Sequence, residues 1–419
     1  MGDSFDWLII NGRVIDPAQE IDEISRLGIR DGRIAAMASD LEVDQAHQVF
    51  DATGLLITPG LVDPHIHGYQ HVTPLGVDVD HYCLGRGVTT AVDAGSAGCD
   101  TFPGFRAFAA ERTRTRLLAF LHISRAGLAF SSRTGGDDAG ELETPKLLHT
   151  GDCLACIETN RDLIVGVKIR LSASIADNGR YEALAYDRAR EAARNAELPL
   201  MTHHNFSSVE LEDCPGKLKP GDIYTHCFHA YPSTILNHSD QSVFECVKRA
   251  KENGVLFDIG HGMGSFSWPV AEACISSEFL PDIISTDIHT LNQEGPVYDL
   301  PTVMSRLLHV GMSLTDVVRA STTTPARAIG WDDRIGSLQI GREADIAALK
   351  LSASPIELED CHAQLRPLQQ RLIPQAVWRA GERAEITAPE VLPNPSSYPE
   401  AIAWKNKLVI SDPTQIPKP

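Results

Sequence analysis

The chain has 419 residues, 43% hydrophobic and 22% charged, the profile of a globular protein long enough for more than one domain. A net charge of −19 argues against partners held by bulk electrostatics, so no nucleic acid and no anionic membrane surface is expected. A small-molecule substrate is the expected partner, and homo-oligomer formation is left open.

The start, Met1-Gly2-Asp3-Ser4-Phe5-Asp6, is acidic where a secretory signal needs a basic region, and it lacks the Ser or Thr of a myristoylation site. No run is apolar and long enough to span a bilayer. Nine cysteines, an odd number scattered through a long chain, suit reduced thiols, and a cytoplasmic location is expected. Cys153 and Cys156 lie in a helix-like polar segment and read as structural.

Residues 1–57 read as short strands joined by turns. Trp7-Leu8-Ile9-Ile10 is followed by the hairpin signal Asn11-Gly12, and Leu27-Gly28-Ile29-Arg30 by Asp31-Gly32. Arg33–Met37 follows as another strand. This unit is too short to bury its own faces. Residues 335–419 supply matching pieces. Ile335-Gly336-Ser337-Leu338 and Ala344–Leu349 read as strands, and Ala376–Gly381 as a further hairpin. The expected arrangement is one β-sandwich built from both termini, with a larger domain inserted between its halves.

The insert, 58–334, alternates strands and helices. Apolar runs occur at Gly60–His67, Gly87–Ser96, Arg116–Arg125, Ile164–Ser172, Leu198–His204, Asp222–His229, Gly254–Gly262 and Asp282–His289. The clearest helical period lies in Tyr181–Glu197. These features predict an α/β fold, a (β/α)8 TIM-like barrel. A doubly wound open sheet is the alternative. It is disfavoured by the strand count and by the lack of a Gly-x-Gly-x-x-Gly turn after a strand.

Barrel enzymes place their chemistry at the C-terminal ends of the strands. The first run ends in His65 and His67, two apart and so on one face, a pair of nitrogen donors for a divalent metal. The fourth carries Lys168, costly to bury charged inside an apolar run. The fifth ends in His203-His204, of which only one can point inward. The sixth gives His226 and His229, and the eighth Asp287 and His289. His261 closes the seventh. His71, His122 and His229 are weaker candidates, and Thr290–Asp299 has the composition of a lid loop.

Together, Val62-Asp63-Pro64-His65-Ile66-His67, the strand-four lysine, the histidines closing strands five and six and the aspartate closing strand eight resemble the amidohydrolase superfamily. Thr323–Gly330 and Gly341-Arg342-Glu343-Ala344-Asp345 resemble its usual exit from barrel to sandwich. Asp93–Gly98, Val167–Arg170, Gly221–His229 and Asp258–Gly262 resemble its dihydroorotase-like branch, whose members include deacetylases of acetylated 2-hydroxy acids such as acetyl-(R)-mandelate. The resemblance implies two divalent metal ions, expected to be zinc. His65, His67 and Asp287 would hold the more buried ion, and His203 and His226 the more exposed one. Lys168, carboxylated on its amine, would bridge them. His203 is chosen over His204 on this resemblance. It further implies that a hydroxide shared by the metals attacks an amide or ester, with Asp287 as the catalytic proton carrier.

Arg170 lies two residues beyond Lys168 on the same face and is expected to bind a substrate carboxylate; His261 and His289 are expected to contact substrate as well. The expected activity is deacylation of a small carboxylate-bearing ester or amide, such as an acetylated 2-hydroxy acid or an N-acyl amino acid. A cyclic amidase of the dihydroorotase or hydantoinase type is the alternative. A scaffold that has lost its metals is disfavoured, because all six ligand types are present.

Overall fold

The computed structural model describes residues 4–130, 140–237 and 239–392. Its strands are β1 (Phe5–Asp16), β2 (Ile21–Arg30), β3 (Arg33–Ala38), β4 (Ala46–Asp51), β5 (Leu56–Pro59), β6 (Leu61–Ile66), β7 (Val88–Gly98), β8 (Arg116–His122), β9 (Ile164–Leu171), β10 (Leu200–His204), β11 (Ile223–Thr225) and β12 (Leu256–Asp258). They continue as β13 (Ile346–Ser352), β14 (Ile356–Glu359), β15 (Leu365–Leu368), β16 (Arg371–Arg379) and β17 (Glu382–Ala384).

β6 to β12 form one parallel sheet in sequence order. Every residue of β6, β7 and β8 is buried, as expected when helices cover a parallel sheet's outer face. The eighth member is a segment rather than a regular ladder. Ile283 bridges to Asp258 and Ile288 bridges to Ile66, both in parallel. His67 N–H donates to Ile288 O at 3.0 Å and Asp287 N–H to His65 O at 2.7 Å, closing the ring between the last strand and the first. The eighth run is thus held on both sides, but Asp287, at φ 49°, leaves the extended conformation. The sixth and seventh strands are shorter than the apolar runs that announced them. The Tyr181–Glu197 pattern forms a helix over Glu182–Ala196, with Ala185, Ala189, Ala192, Ala193 and Ala196 buried. Cys153 and Cys156 lie on the helix Thr150–Thr159, and all nine cysteines are free thiols.

The termini meet in a second sheet, ordered β17-β16-β13-β5-β1-β2-β3, with β4 paired in parallel to β1. Its core joins residues from both ends of the chain, including Ile9, Ile29, Ile57, Ile346 and the fully buried Trp378. Asp31-Gly32 and Ala380-Gly381 form the expected hairpin turns, each with both residues at positive φ. Asn11-Gly12 does not. β1 runs through it, and its pairing with β2 shifts between Ile9 and Gly12. Asn11 takes φ 63°, and a Cβ on Gly12 would lie 2.5 Å from Ile57 Cγ1, so the pair makes a bulge against a close neighbour. Ile335–Leu338 is also not a strand; Ser337 Oγ and Leu338 N–H donate to Asp16 at 2.8 and 2.6 Å, and these bonds replace a ladder.

The two units are locked by Arg116, at the start of β8. Its guanidinium meets Asp345 Oδ2 at 2.6 Å and pairs with Glu343. Asp345 also takes the Ala380 N–H at 2.7 Å. The Glu343-Ala344-Asp345 motif is therefore the joint between barrel and sandwich. Among the described residues no helix is long and apolar enough to cross a membrane.

Candidate active site

β6 delivers His65 and His67 to the mouth of the barrel. Their rings are held from behind: His65 Nδ1 lies 2.9 Å from Thr225 Oγ1, and His67 Nδ1 lies 2.9 Å from Ser96 Oγ. This leaves both Nε2 atoms facing inward. His67 Nε2 is 3.1 Å and His65 Nε2 is 3.4 Å from Asp287 Oδ1. Lys168 Nζ, from β9, lies 3.3 Å from His65 Nε2.

On the other side, His226 Nε2 is 2.7 Å from His203 Nδ1. The far nitrogen of each ring is engaged, His226 Nδ1 with Gly260 O at 2.6 Å and His203 Nε2 with Asn205 Oδ1 at 2.7 Å. His204 points away from this group and is fixed by Tyr224 Oη at 3.1 Å and Val209 O at 2.8 Å. Donor atoms of His65, His226 and Asp287 all lie within 4.8 Å of one another.

Burial sets the charge states. It pushes Lys168 down to about 7 and His226 down to about 4, and holds His65 and His203 well below the usual imidazole range. The rings of His65, His203 and His226 are therefore neutral, and the amine loses most of its preference for the ammonium form. Burial would raise Asp287, but His65 and the hydrogen bond from His67 outweigh it, and the carboxyl stays well below its usual value.

Behind the rings lies a layer that the sequence reading did not single out. Asp258 accepts Thr225 Oγ1 at 2.6 Å and Ser285 Oγ at 2.8 Å. Asp63 accepts Thr286 Oγ1 at 2.6 Å. Asn292 Nδ2 donates to Asp287 O at 2.8 Å, and its Oδ1 takes the His289 N–H at 2.8 Å. These polar residues have no fixed spacing from the histidines they serve. Asp63 and Asp258 lay inside the stretches Val62–His67 and Asp258–Gly262 that carry the family resemblance, and Asn292 inside the Thr290–Asp299 loop, but none of them was assigned a role.

The remaining candidates are distributed around the mouth. His289 lies with its ring 6.3 Å from that of His67. His261 stacks on Phe266 at 4.7 Å and approaches Cys361, which comes from the turn between β14 and β15. Arg170 pairs with Glu141 at 3.0 Å. His229 is buried and its Nδ1 takes the Tyr231 N–H at 3.1 Å, whereas His71 is exposed. Thr290–Asp299 is a loop with a largely buried course, anchored through Asn292.

A parallel barrel with this donor set at its strand ends has the build of an amidohydrolase. The sequence profile of the amidohydrolase family matches residues 56–384, and the chain belongs to that family, in its dihydroorotase-like branch. It is 35% identical over 345 residues to a deacetylase of Agrobacterium fabrum, covering 82% of this chain and 83% of that protein. It is 47% identical to a dihydroorotase of Solibacter usitatus, but over only 68 residues, 15% of this chain and 16% of that protein. A crystal structure of a dihydroorotase superposes with a TM-score of 0.82 at 33% identity, covering 90% of this chain and 99% of that one. The protein is accordingly a hydrolase of the amidohydrolase type.

Proposed function

We propose that this hydrolase is a binuclear, zinc-dependent deacylase acting on a small carboxylate-bearing ester or amide. The observation that carries the reading is the convergence of His65, His67, Asp287 and Lys168 on one side and His203 with His226 on the other. The donors fit metal ions: the buried rings of His65 and His67 turn Nε2 toward one carboxylate oxygen, and their other nitrogens are engaged behind. His65, His67 and Asp287 would hold one ion, and His203 Nδ1 and His226 Nε2 the other. Lys168, carboxylated on Nζ, would contribute to both. A carbamate needs a neutral amine to form, and burial of Lys168 favours that state near neutral pH. When bound, the pair of ions supplies an activated water and polarises the scissile carbonyl.

The chain's own residues do the rest. Asp287, anionic and aimed inward, accepts a proton and returns it to the leaving oxygen or nitrogen. Arg170, at the half-open end of β9, offers guanidinium N–H groups to a substrate carboxylate. Deacylation is preferred to the cyclic amidase reading because the deacetylase likeness runs along 82% of the chain, while the likeness to dihydroorotase sequences covers 15% of it in one case and 48% in another. The superposition on a dihydroorotase keeps the cyclic amidase as the second reading.

Purified protein supplemented with zinc is expected to hold about two ions per chain. It should hydrolyse O-acyl hydroxy acids or N-acyl amino acids faster than cyclic imides, and chelation should remove metal and activity together. Elemental analysis that finds no bound metal would end the reading. Preferential ring opening would move it to the cyclic amidase.

Arg170→Met is expected to raise KM for acidic substrates about tenfold or more, the loss of a charge-assisted hydrogen bond, with normal metal content. Equal losses on acidic and neutral substrates would assign Arg170 to structure.

A further inference from the structure

His122 ends β8 beside the site, fully buried, with no role in the mechanism above. The register of β8 on β9 pairs it directly with Lys168. Its Nδ1 accepts the Ser124 backbone N–H at 2.9 Å, so the ring carries its one N–H on Nε2. Among the described residues Nε2 has no hydrogen-bond partner. Glu141 Oε1 lies 3.9 Å from it, beyond hydrogen-bond reach. A fully buried N–H left without an acceptor is costly and rare, and beside an active site it marks a place for a ligand oxygen.

Glu141 supplies the second half of the argument. Its side chain is fully buried and grips Arg170 at 3.0 Å, while the Arg170 side chain remains 19% exposed. The pairing fixes the guanidinium at the mouth and offsets part of its charge. A partly neutralised arginine is a weaker carboxylate reader by itself, and a second directed donor restores the grip. His122 Nε2–H is such a donor, and it and the Arg170 guanidinium lie 3.9 and 3.0 Å from the same oxygen, Glu141 Oε1.

We propose that His122 Nε2–H and the Arg170 guanidinium together receive the carboxylate of the substrate, with Glu141 as the positioning residue that aims Arg170. The inference rests on the deacylase reading for the presence of that carboxylate. It assigns specificity for acidic substrates to the ends of β8 and β9 and to the Glu141 loop.

The test uses binding, so that it does not depend on turnover. The probes are 4-oxopentanoate, a ketone counterpart of acetylated hydroxyacetic acid that cannot be hydrolysed, and its amide, titrated calorimetrically into the zinc-loaded protein. Wild type is expected to bind the acid at least about tenfold more tightly than the amide, as for a charge-assisted contact. His122→Phe should reduce that preference to about threefold or less, with metal content unchanged. His122→Asn, which keeps an N–H donor, should recover part of it. An undiminished preference in His122→Phe, loss of metal in that variant, or no preference in wild type would overturn the assignment. A wild type that prefers the acid, with the preference lost in His122→Phe, but cleaves no acyl ester or amide would sink the deacylase reading and leave this assignment standing.

Discussion

Replacing Asp287 with asparagine is expected to lower kcat by about 10²–10⁴-fold, the usual contribution of a positioned acid–base group, while the fold is retained. Asparagine matches the carboxylate in shape but cannot take up the proton. The backbone at Asp287 sits at φ 49°, fixed by its N–H on His65 O and by Asn292 on its own carbonyl. Asparagine tolerates that left-handed conformation better than most residues, so the variant should unfold near the wild-type temperature. The carboxylate also packs tightly, since a Cβ on Gly262 would lie 2.5 Å from its Oδ2, and an amide of equal size fits that space. Steady-state kinetics with a matched unfolding curve checks the prediction. Activity within twofold of wild type would show that another residue moves the proton.

Lys168→Ala is expected to reduce metal content from about two ions per chain to one or none, and to remove activity with it. The lysine is 1% exposed, and its amine is 3.3 Å from His65 Nε2. Gly95, at φ 88°, makes room for the stem, because a Cβ there would lie 2.7 Å from Lys168 Cγ. Truncation should leave a cleft beside His65, and a short carboxylic acid such as acetate should enter it and restore part of the metal binding. Elemental analysis with and without acetate reads the result. Two tightly held ions in Lys168→Ala would remove the lysine from the metal site.

The strand-end chemistry was legible because it obeys local rules. His65 and His67 share a face through the two-residue period of a strand, and Lys168 with Arg170 repeats that logic on β9. The hairpin turn at Asp31-Gly32 was legible for the same reason, since positive φ at two successive positions favours Asp-Gly, and at Ala380-Gly381 the glycine alone carried that signal. Asn11-Gly12 carried the same signal with a different outcome. What distinguishes it is the close approach of Ile57, a residue of another strand, and no local pattern reports that.

Sequence by itself therefore determined the architecture and which side chains end the strands, because apolar runs, their period and the residues that end them are properties of short segments. Only the tertiary structure decided how those donors are aimed. His65 is oriented by Thr225, 160 residues away, and Thr225 in turn by Asp258, partners that meet because neighbouring strands of a closed ring bring distant segments side by side. The same closure turns His203 toward His226 while Tyr224 and Val209 hold His204 outside, and it seats Glu141 against Arg170. A strand's period fixes which side chains share a face, but the partner each one meets depends on ring closure and on loops whose course no local pattern specifies.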